Sequence, residues 1–411
     1  MDKNQQRINL AYHLTELRKK HGMTQEQLAE RLGVSNKAVS KWERGAGVPE
    51  LAQLIGLAEV FGVSVDALIR SEKSGIAIAG NILTDSVKLI DAYPEKGMLV
   101  NISSISRAVG GCVPNTLIDL AKMDKSIPLY AYGRVGDDES GRYVTFEMQK
   151  NGIDVSGVSV SKTAATSFSD VMSVQSTGER TFFHHRGANA EFAPKYLPVG
   201  SLTCSMLHIG YILLLDEFDK EDAEYGTVMA RYLCQARAAG IRTSIDVVSD
   251  SGKRFAAKVI PALRYTDNAI MNEIEGCGVA GLAPRDGEGR LIEENVRRSL
   301  EIILEHGVRE RAIVHCPEAG FAMNARGEYT VVPSLALPEG YVQGAVGAGD
   351  AFCAGCLYGI YHGFSDKEIL EFASGAAACN LAAADSVSGM RTKEYIYELI
   401  QNTPKQTRQK G

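Results

Sequence analysis

The sequence predicts an α/β protein, a three-layer sandwich of a mostly parallel sheet between helices with a small β lid, preceded by an all-α helix-turn-helix bundle. Three observations predict this. Up to residue 70, apolar residues recur at helical spacing and capping residues punctuate the helices. From Gly75 onward, short apolar runs (GIAIAG, IPLYAYG, MLHIGYILL, RTSIDVV, NAIMN, RAIVHC) alternate with helical stretches, the rhythm of a parallel sheet covered on both faces. Two segments, GMLVNISSISRAVGG and TSFSDVMSVQSTGERTFFHHRG, break that rhythm with period-two alternation, as expected of a small antiparallel sheet projecting from the main body.

The expected order is a bundle over 1–70, a polar linker SEKSG at 71–75, the α/β domain over 76–402 and a polar, frayed tail over 403–411. A chain of 411 residues exceeds one ordinary domain, and 45% hydrophobic with 23% charged residues is globular composition. No apolar run is long enough for a membrane span, and MDKNQQRINL lacks a signal-peptide core, so a cytoplasmic protein without a membrane partner is expected. Of eight cysteines only Cys353 and Cys356 form a C-x-x-C pair, and without a second pair they read as helix packing rather than a zinc site. Formal net charge is -6, yet residues 1–70 carry ten Lys and Arg against eight Asp and Glu. Any nucleic-acid partner is therefore expected at the amino-terminal part.

In the bundle, Leu10, Leu14 and Leu17 mark a first helix from Ile8 to Lys20. Thr24 is the expected N-cap of the next, with Gln27 as its capping-box partner, Leu28, Ala29 and Leu32 as its buried stripe and Gly33 as its left-handed stop. Ser35 caps a third, in which Ala38, Val39 and Trp42 turn inward while Asn36, Lys37, Ser40, Lys41 and Arg44 point elsewhere. VPELAQLIGLAEVFGVSVDALI supplies two more helices. Two helices joined by a short turn place the second in the major groove of double-stranded DNA, with residues 24–44 as the contact. Single units of this kind bind weakly, so a homodimer is expected.

In the larger part, QGAVGAGDAFCAG (343–355) stands out. Glycines at 347 and 349 let backbone N–H groups turn toward one point, and a helix starting near Asp350 adds its positive end. An acid beside an anion cradle suits phosphoryl transfer to an alcohol, which needs a base and charge stabilisation. Taken alone, such a turn is more often a tight connection.

Its company argues for more. AGNILTD follows the first strand, and VGGCVPN, YGRVGDDESG, MNEIE and GAGDAF come after it in that order. This succession resembles the ribokinase-like, or PfkB, family of carbohydrate kinases over roughly residues 75–400. The resemblance implies ATP-dependent phosphorylation of a sugar or nucleoside hydroxyl, with ATP and Mg2+ as cofactors. Asp350 would be the base, and Gly347, Ala348, Gly349 and Asp350 would form the anion hole. Asp85, Gly111 and Asn115 would hold the sugar, with Arg186 reaching it from the lid or simply solvated. Asn272 and Glu275, the family's N-x-x-E, would organise Mg2+ through water, and Gly320 would close the nucleotide turn. MTQEQLAERLGVSNKAVSKWERG resembles the XRE/Cro family of repressor DNA-binding domains over about sixty residues, which implies a phosphate anchor at Gln25 and base readers at Asn36, Lys37, Ser40 and Lys41.

The chain also departs from the resembled kinases. Their D-T-x before GAGD reads Gly344, Ala345, Val346 here, and their T-x-G-x-x-G turn reads His315, Cys316, Pro317, Glu318, Ala319, Gly320. Many such kinases use a monovalent cation held by the D-T-x acid, so insensitivity to K+ is expected. These departures leave a second reading open, a transcription regulator whose kinase-like domain binds a sugar without turnover.

Overall fold

The computed structural model describes residues 10–407 apart from 12, 13, 16, 20, 64, 66, 67, 69–72, 178, 179 and 250–253. The start of the first helix at Ile8, its end at Lys20, most of the last bundle helix, part of the linker and the end of the tail lie outside the described residues. The chain divides into two units, Met1–Ser74 with Pro198–Ser205, and Gly75–Leu197 with Met206–Gly411. No described helix is long and apolar enough to cross a membrane.

In the first unit, α1 (Gln25–Leu32) opens on Thr24, whose hydroxyl accepts from Gln27 N while Gln27 Oε1 accepts from Thr24 N. Ser35 caps α2 (Asn36–Glu43) through Ala38 N at 3.2 Å. α3 (Leu51–Phe61) closes one apolar core of Leu10, Leu14, Leu28, Val39, Trp42, Leu57 and Phe61, with Leu17, Leu32 and Ala38 half-buried against it.

The second unit contains β1 (Ile76–Gly80), β2 (Leu83–Ile90), β3 (Ile102–Gly110), β4 (Leu129–Gly136), β5 (Asp154–Ser161), β6 (Ser167–Val174), β7 (Arg180–His185), β8 (Met206–Ile212), β9 (Glu221–Asp222), β10 (Gly226–Thr227), β11 (Arg242–Val247), β12 (Asn268–Asn272), β13 (Arg311–His315), β14 (Ala319–Asn324) and β15 (Tyr329–Pro333). Nine of them form one sheet in the order β15-β14-β13-β12-β11-β8-β1-β4-β5. It is parallel from β5 to β13, where helical crossovers link the strands, and antiparallel at the hairpin edge β13-β14-β15. Helices α4 (Cys112–Met123), α5 (Glu139–Lys150), α6 (Val228–Ala238), α7 (Glu273–Ala280), α8 (Glu293–Glu305), α9 (Ala348–Tyr361), α10 (Asp366–Leu381) and α11 (Lys393–Asn402) accompany it. α4, α9 and α10 share one core with β1, through Leu117, Leu120, Ala351, Leu357, Leu370 and Ile78.

Two expectations change. The lid is a four-stranded sheet, β3-β2-β6-β7, and it is mixed: β2 pairs antiparallel with β3 but parallel with β6. The β4-α5-β5 segment separates β2 from β6 in the chain, so no hairpin forces them antiparallel. The tail is tied down as far as it is described. Gln406 N donates to Ser334 O, Ala336 N donates to Pro404 O, and Lys405 pairs with Glu371, because the unsatisfied edge residues after β15 offer it partners.

Candidate active site

α9 begins at Ala348 with Gly347 as its N-cap. Gly347 has φ +77, and a Cβ there would lie 2.6 Å from the Ser386 carbonyl oxygen, so both backbone conformation and crowding demand glycine. No side chain caps this helix, and Ala348 N reaches only Ala345 O, at 3.4 Å. Its first N–H groups are left facing the space before the helix. Gly349 differs from Gly347: a Cβ there would meet nothing nearer than His315 Cε1 at 3.7 Å. The gap left by the missing Cβ, bounded by His315 and lying beside the N–H groups of Gly349 and Asp350, fits an anionic oxygen.

Asp350 sits in the first turn, buried, and two neutral donors hold its carboxylate. Tyr211 OH donates to Oδ1 at 2.6 Å and Asn115 Nδ2 to Oδ2 at 2.8 Å. Burial pushes its carboxyl up to about 6, the Tyr211 and Asn115 bonds pull it down, and Asp246 pushes up against an opposing pull from His208. Below it, His208 Nε2 lies 3.4 Å from Asp246 Oδ2 and 3.7 Å from Cys353 Sγ. These three buried donors converge within 4.8 Å, one short of the four that structural zinc sites use. Cys353 and Cys356 are free thiols within the apolar core.

On the sugar side, Asp85 lies on β2, where burial first and the Asp350 charge second push its carboxyl up to about 7. The lid register places Asp85, Ser169 and His184 in one row across β2, β6 and β7. Ser169 Oγ lies 3.1 Å from His184 Nδ1, and the Ser169 hydroxyl draws the Asp85 carboxyl down. Gly111, at φ +89, begins α4, and a Cβ there would lie 2.5 Å from Asn81 O. Asn115 turns its amide to Asp350, steadied by the Ser386 hydroxyl 2.9 Å from its Oδ1. Arg186 goes elsewhere: it donates to Asp216 Oδ1 at 2.6 Å and Leu213 O at 3.3 Å, pinning the segment after β8.

At the N-x-x-E, Asn272 is the N-cap of α7 and Glu275 completes a capping box with it. Glu275 Oε2 accepts from Asn272 N at 2.9 Å, and Oε1 accepts from Asn272 Nδ2 and Ser249 Oγ. Burial pushes the Glu275 carboxyl up to about 8. A carboxylate, an amide and a hydroxyl are oxygen donors of the type that holds Mg2+ through its waters. Gly320 is a buried strand residue on β14, where a Cβ would lie 3.1 Å from both Leu370 and Phe352. It serves packing between sheet and helices rather than a turn. His315 stacks on Phe352 with centroids 4.5 Å apart, and burial drops its pKa to about 4. Arg285 bridges Glu273 at the start of α7 and Glu318 in the β13–β14 turn.

Residues 76–393 match the pfkB family of carbohydrate kinases. The chain belongs to the pfkB carbohydrate kinase family. Ribokinase of Arabidopsis thaliana is 23% identical over 327 residues, 79% of this chain and 80% of that one. The solved structure of Arabidopsis thaliana ribokinase complexed with ribose and ATP superposes with a TM-score of 0.64 at 18% identity, covering 80% of this chain and 99% of that chain. Residues 14–68 match a helix-turn-helix family. Over 60 residues the chain is 45% identical to the helix-turn-helix transcriptional activator BcrR of Enterococcus faecalis, which is 15% of this chain and 29% of that protein.

In the helix-turn-helix unit of this pfkB-family chain, Asn36, Lys37 and Lys41 are exposed on α2, while Ser40 is half-buried. Gln25 is committed within the bundle, donating to Glu43 Oε2 at 2.7 Å beside Arg18, which pairs with the same carboxylate at 2.6 Å. Burial pushes Glu43 up, but the Arg18 and Gln25 bonds outweigh it. A half-buried carboxylate needs those donors, so the phosphate anchor expected at Gln25 has only part of its amide to offer. Tyr211, Ser386, Ser169 and His184 also line the site and were not among the residues expected there. Only HHRG carried a signal, and it drew attention to Arg186 instead.

Proposed function

We propose that the chain is an ATP-dependent kinase for a hydroxyl of a sugar or sugar-like nucleoside, fused to a sequence-specific DNA-binding module in a cytoplasmic protein. The observation that carries the reading is Asp350. Its carboxylate is held by neutral donors at an uncapped helix N-terminus whose next glycine leaves room for an anion. In the step this supports, Asp350 takes the proton as the hydroxyl O–H bond breaks. The hydroxyl oxygen bonds to the γ-phosphorus, and the bond from that phosphorus to the bridging oxygen breaks, leaving its electron pair on ADP. The N–H groups of Ala348, Gly349 and Asp350 would receive the transferring oxygens, while Asp85 with Ser169 would orient the sugar beneath the lid. Asn272 and Glu275 would hold Mg2+ through water, supplying charge neutralisation at the phosphates.

The fold likeness to a ribose- and ATP-bound ribokinase supports this reading without choosing the sugar. A second reading, ligand binding without turnover, draws on the capping box that occupies Glu275 and on the neutral His315 beside Gly349. The two separate in one assay, ADP formation from ATP with Mg2+ across a panel of sugars and nucleosides. Acceptor-dependent ADP supports the kinase. A panel that binds by thermal shift yet forms no ADP supports the sensor.

A further inference from the structure

We propose that Tyr211, at the end of β8, is a positioning residue for the candidate base: its phenol hydroxyl fixes the Asp350 carboxylate and keeps it ionised at neutral pH. This rests on the reading of Asp350 as the base. The hydroxyl lies 2.6 Å from Asp350 Oδ1. Tyr211 is half-buried against the core, and desolvation of its phenol first, then the Asp350 charge, push it well above its ordinary value, so it remains a donor throughout the working range. Asn115 donates to the other oxygen at 2.8 Å. Together the two bonds stop rotation about the carboxyl and leave a free lone pair on each oxygen for the incoming hydroxyl.

The surroundings explain why a dedicated donor is needed. Asp350 meets Asp85 from β2, Asp246 from β11, Cys112 and Asp119 from α4, and Cys353 on its own helix. These are acids or thiols, and His208 from β8 pulls in the other direction. Desolvation and the Asp246 charge both favour a protonated Asp350, which cannot accept a proton. Among the described residues Tyr211 and Asn115 bond the ionised form, and a phenol does so without adding a charge that a phosphate would meet. The segment that follows Tyr211 is pinned. Leu213 is buried at φ +84, and Arg186 anchors its carbonyl while pairing with Asp216. A leucine in the left-handed region persists only where its surroundings over-determine it.

The test compares wild type, Tyr211→Phe and Asp350→Asn in two readouts. Tyr211→Phe keeps the ring and removes the donor. The acid limb of kcat/KM against pH should move up by about one pH unit, with roughly tenfold lower activity on that limb, recovery toward wild type at high pH and an unchanged KM for ATP. A 13C-carboxyl titration, with the Asp350 resonance assigned by its loss in Asp350→Asn, should show the same upward move without any turnover. If the limb and the resonance stay at wild-type pH in folded Tyr211→Phe, the assignment is overturned. A pH-independent loss of activity with an unmoved resonance also overturns it, showing mere packing. If the resonance moves but no acceptor supports ADP formation, Tyr211 holds Asp350 as stated and it is the base reading that fails. Restoration of the limb by Tyr211→His at pH values where the imidazole donates would add support.

Discussion

Two helix N-termini in the kinase unit face opposite fates. At α9 the cap is a glycine with no side chain, the first N–H groups have no capping partner, and an acid stands in the first turn under neutral donors. At α7 the cap is Asn272, and Asn272 with Glu275 satisfies the helix end from within. Both stretches read as ligand motifs in the sequence. The difference teaches that a helix terminus becomes a site where its own side chains leave it open. Where they close it, a ligand must compete with bonds already made. α1 and α2 of the helix-turn-helix unit are closed in the same way by Thr24 and Ser35.

The comparison breaks most sharply at Asp350. Asp350→Asn keeps the size and loses basicity, so phosphorylation should fall about a hundredfold or more while sugar binding by thermal shift persists. Undiminished turnover would leave α9 a connection and no more. The two glycines before it should then part company. Gly347→Ala forces a left-handed alanine against Ser386 and should cost about 2 kcal/mol of unfolding free energy. Gly349→Ala should change stability by less than about 0.5 kcal/mol, because its Cβ would sit in ordinary van der Waals contact with His315 Cε1 at 3.7 Å, yet should weaken ATP use by filling the gap beside the helix start. Equal stability losses in urea titrations would show that both glycines serve the backbone alone.

At α7 the sharper instrument is pH. The Glu275 carboxyl is raised to about 8 by burial, above its value in the unfolded chain. The folded protein therefore binds the extra proton, and the stability it confers is full below about pH 4.5 and is lost as pH rises through 8. Glu275→Gln keeps a capping box, since Gln serves at that position, and should flatten this decline, gaining on the order of 1 kcal/mol over wild type at pH 8.5. If Glu275 also organises Mg2+, the same variant should need more Mg2+ for half-maximal turnover. An unshifted Mg2+ titration with the flattened pH profile would make the N-x-x-E a cap and nothing else.

The alternation of apolar strands and helices made the main sheet legible, and capping residues marked both ends of α1 and the start of α2. Asp350 was legible because its chemistry lies in contiguous sequence. Tyr211 and Ser386 were not, because they reach Asp350 and Asn115 from 139 and 271 residues away and neither carries a motif. The parallel β2–β6 pairing was hidden for a similar reason: strand direction is decided by the crossover between strands, which alternation within one strand does not record. Gln25 misled because a helix-start glutamine looks free until Glu43 is brought to it. Lys41→Ala should lower DNA affinity and flatten the salt slope by about one. Gln25→Ala should alter the slope less, and a larger change for Gln25 would show that its bond to Glu43 yields to phosphate.

The smallest expected effect concerns the segment before α9. In the resembled kinases an acid there helps to hold a monovalent cation; here that position is Gly344. A Cβ on Gly344 would lie 2.8 Å from Ala383 O and 2.9 Å from Ala384 O, so two backbone carbonyls occupy the space an aspartate side chain would enter. Gln343 N donates to Leu381 O at 2.8 Å, fixing the segment in that position. Neutral carbonyls can touch a cation, but without a charged ligand they do little to offset its dehydration. The geometry a cation would otherwise support is already held by packing, with Gly347 pressed against Ser386. Turnover measured at constant ionic strength, as K+ replaces a bulky organic cation, should therefore change by less than about twofold. Severalfold activation by K+ would mean that the Ala383 and Ala384 carbonyls, with some acid from another element, form a cation site that Gly344 does not abolish.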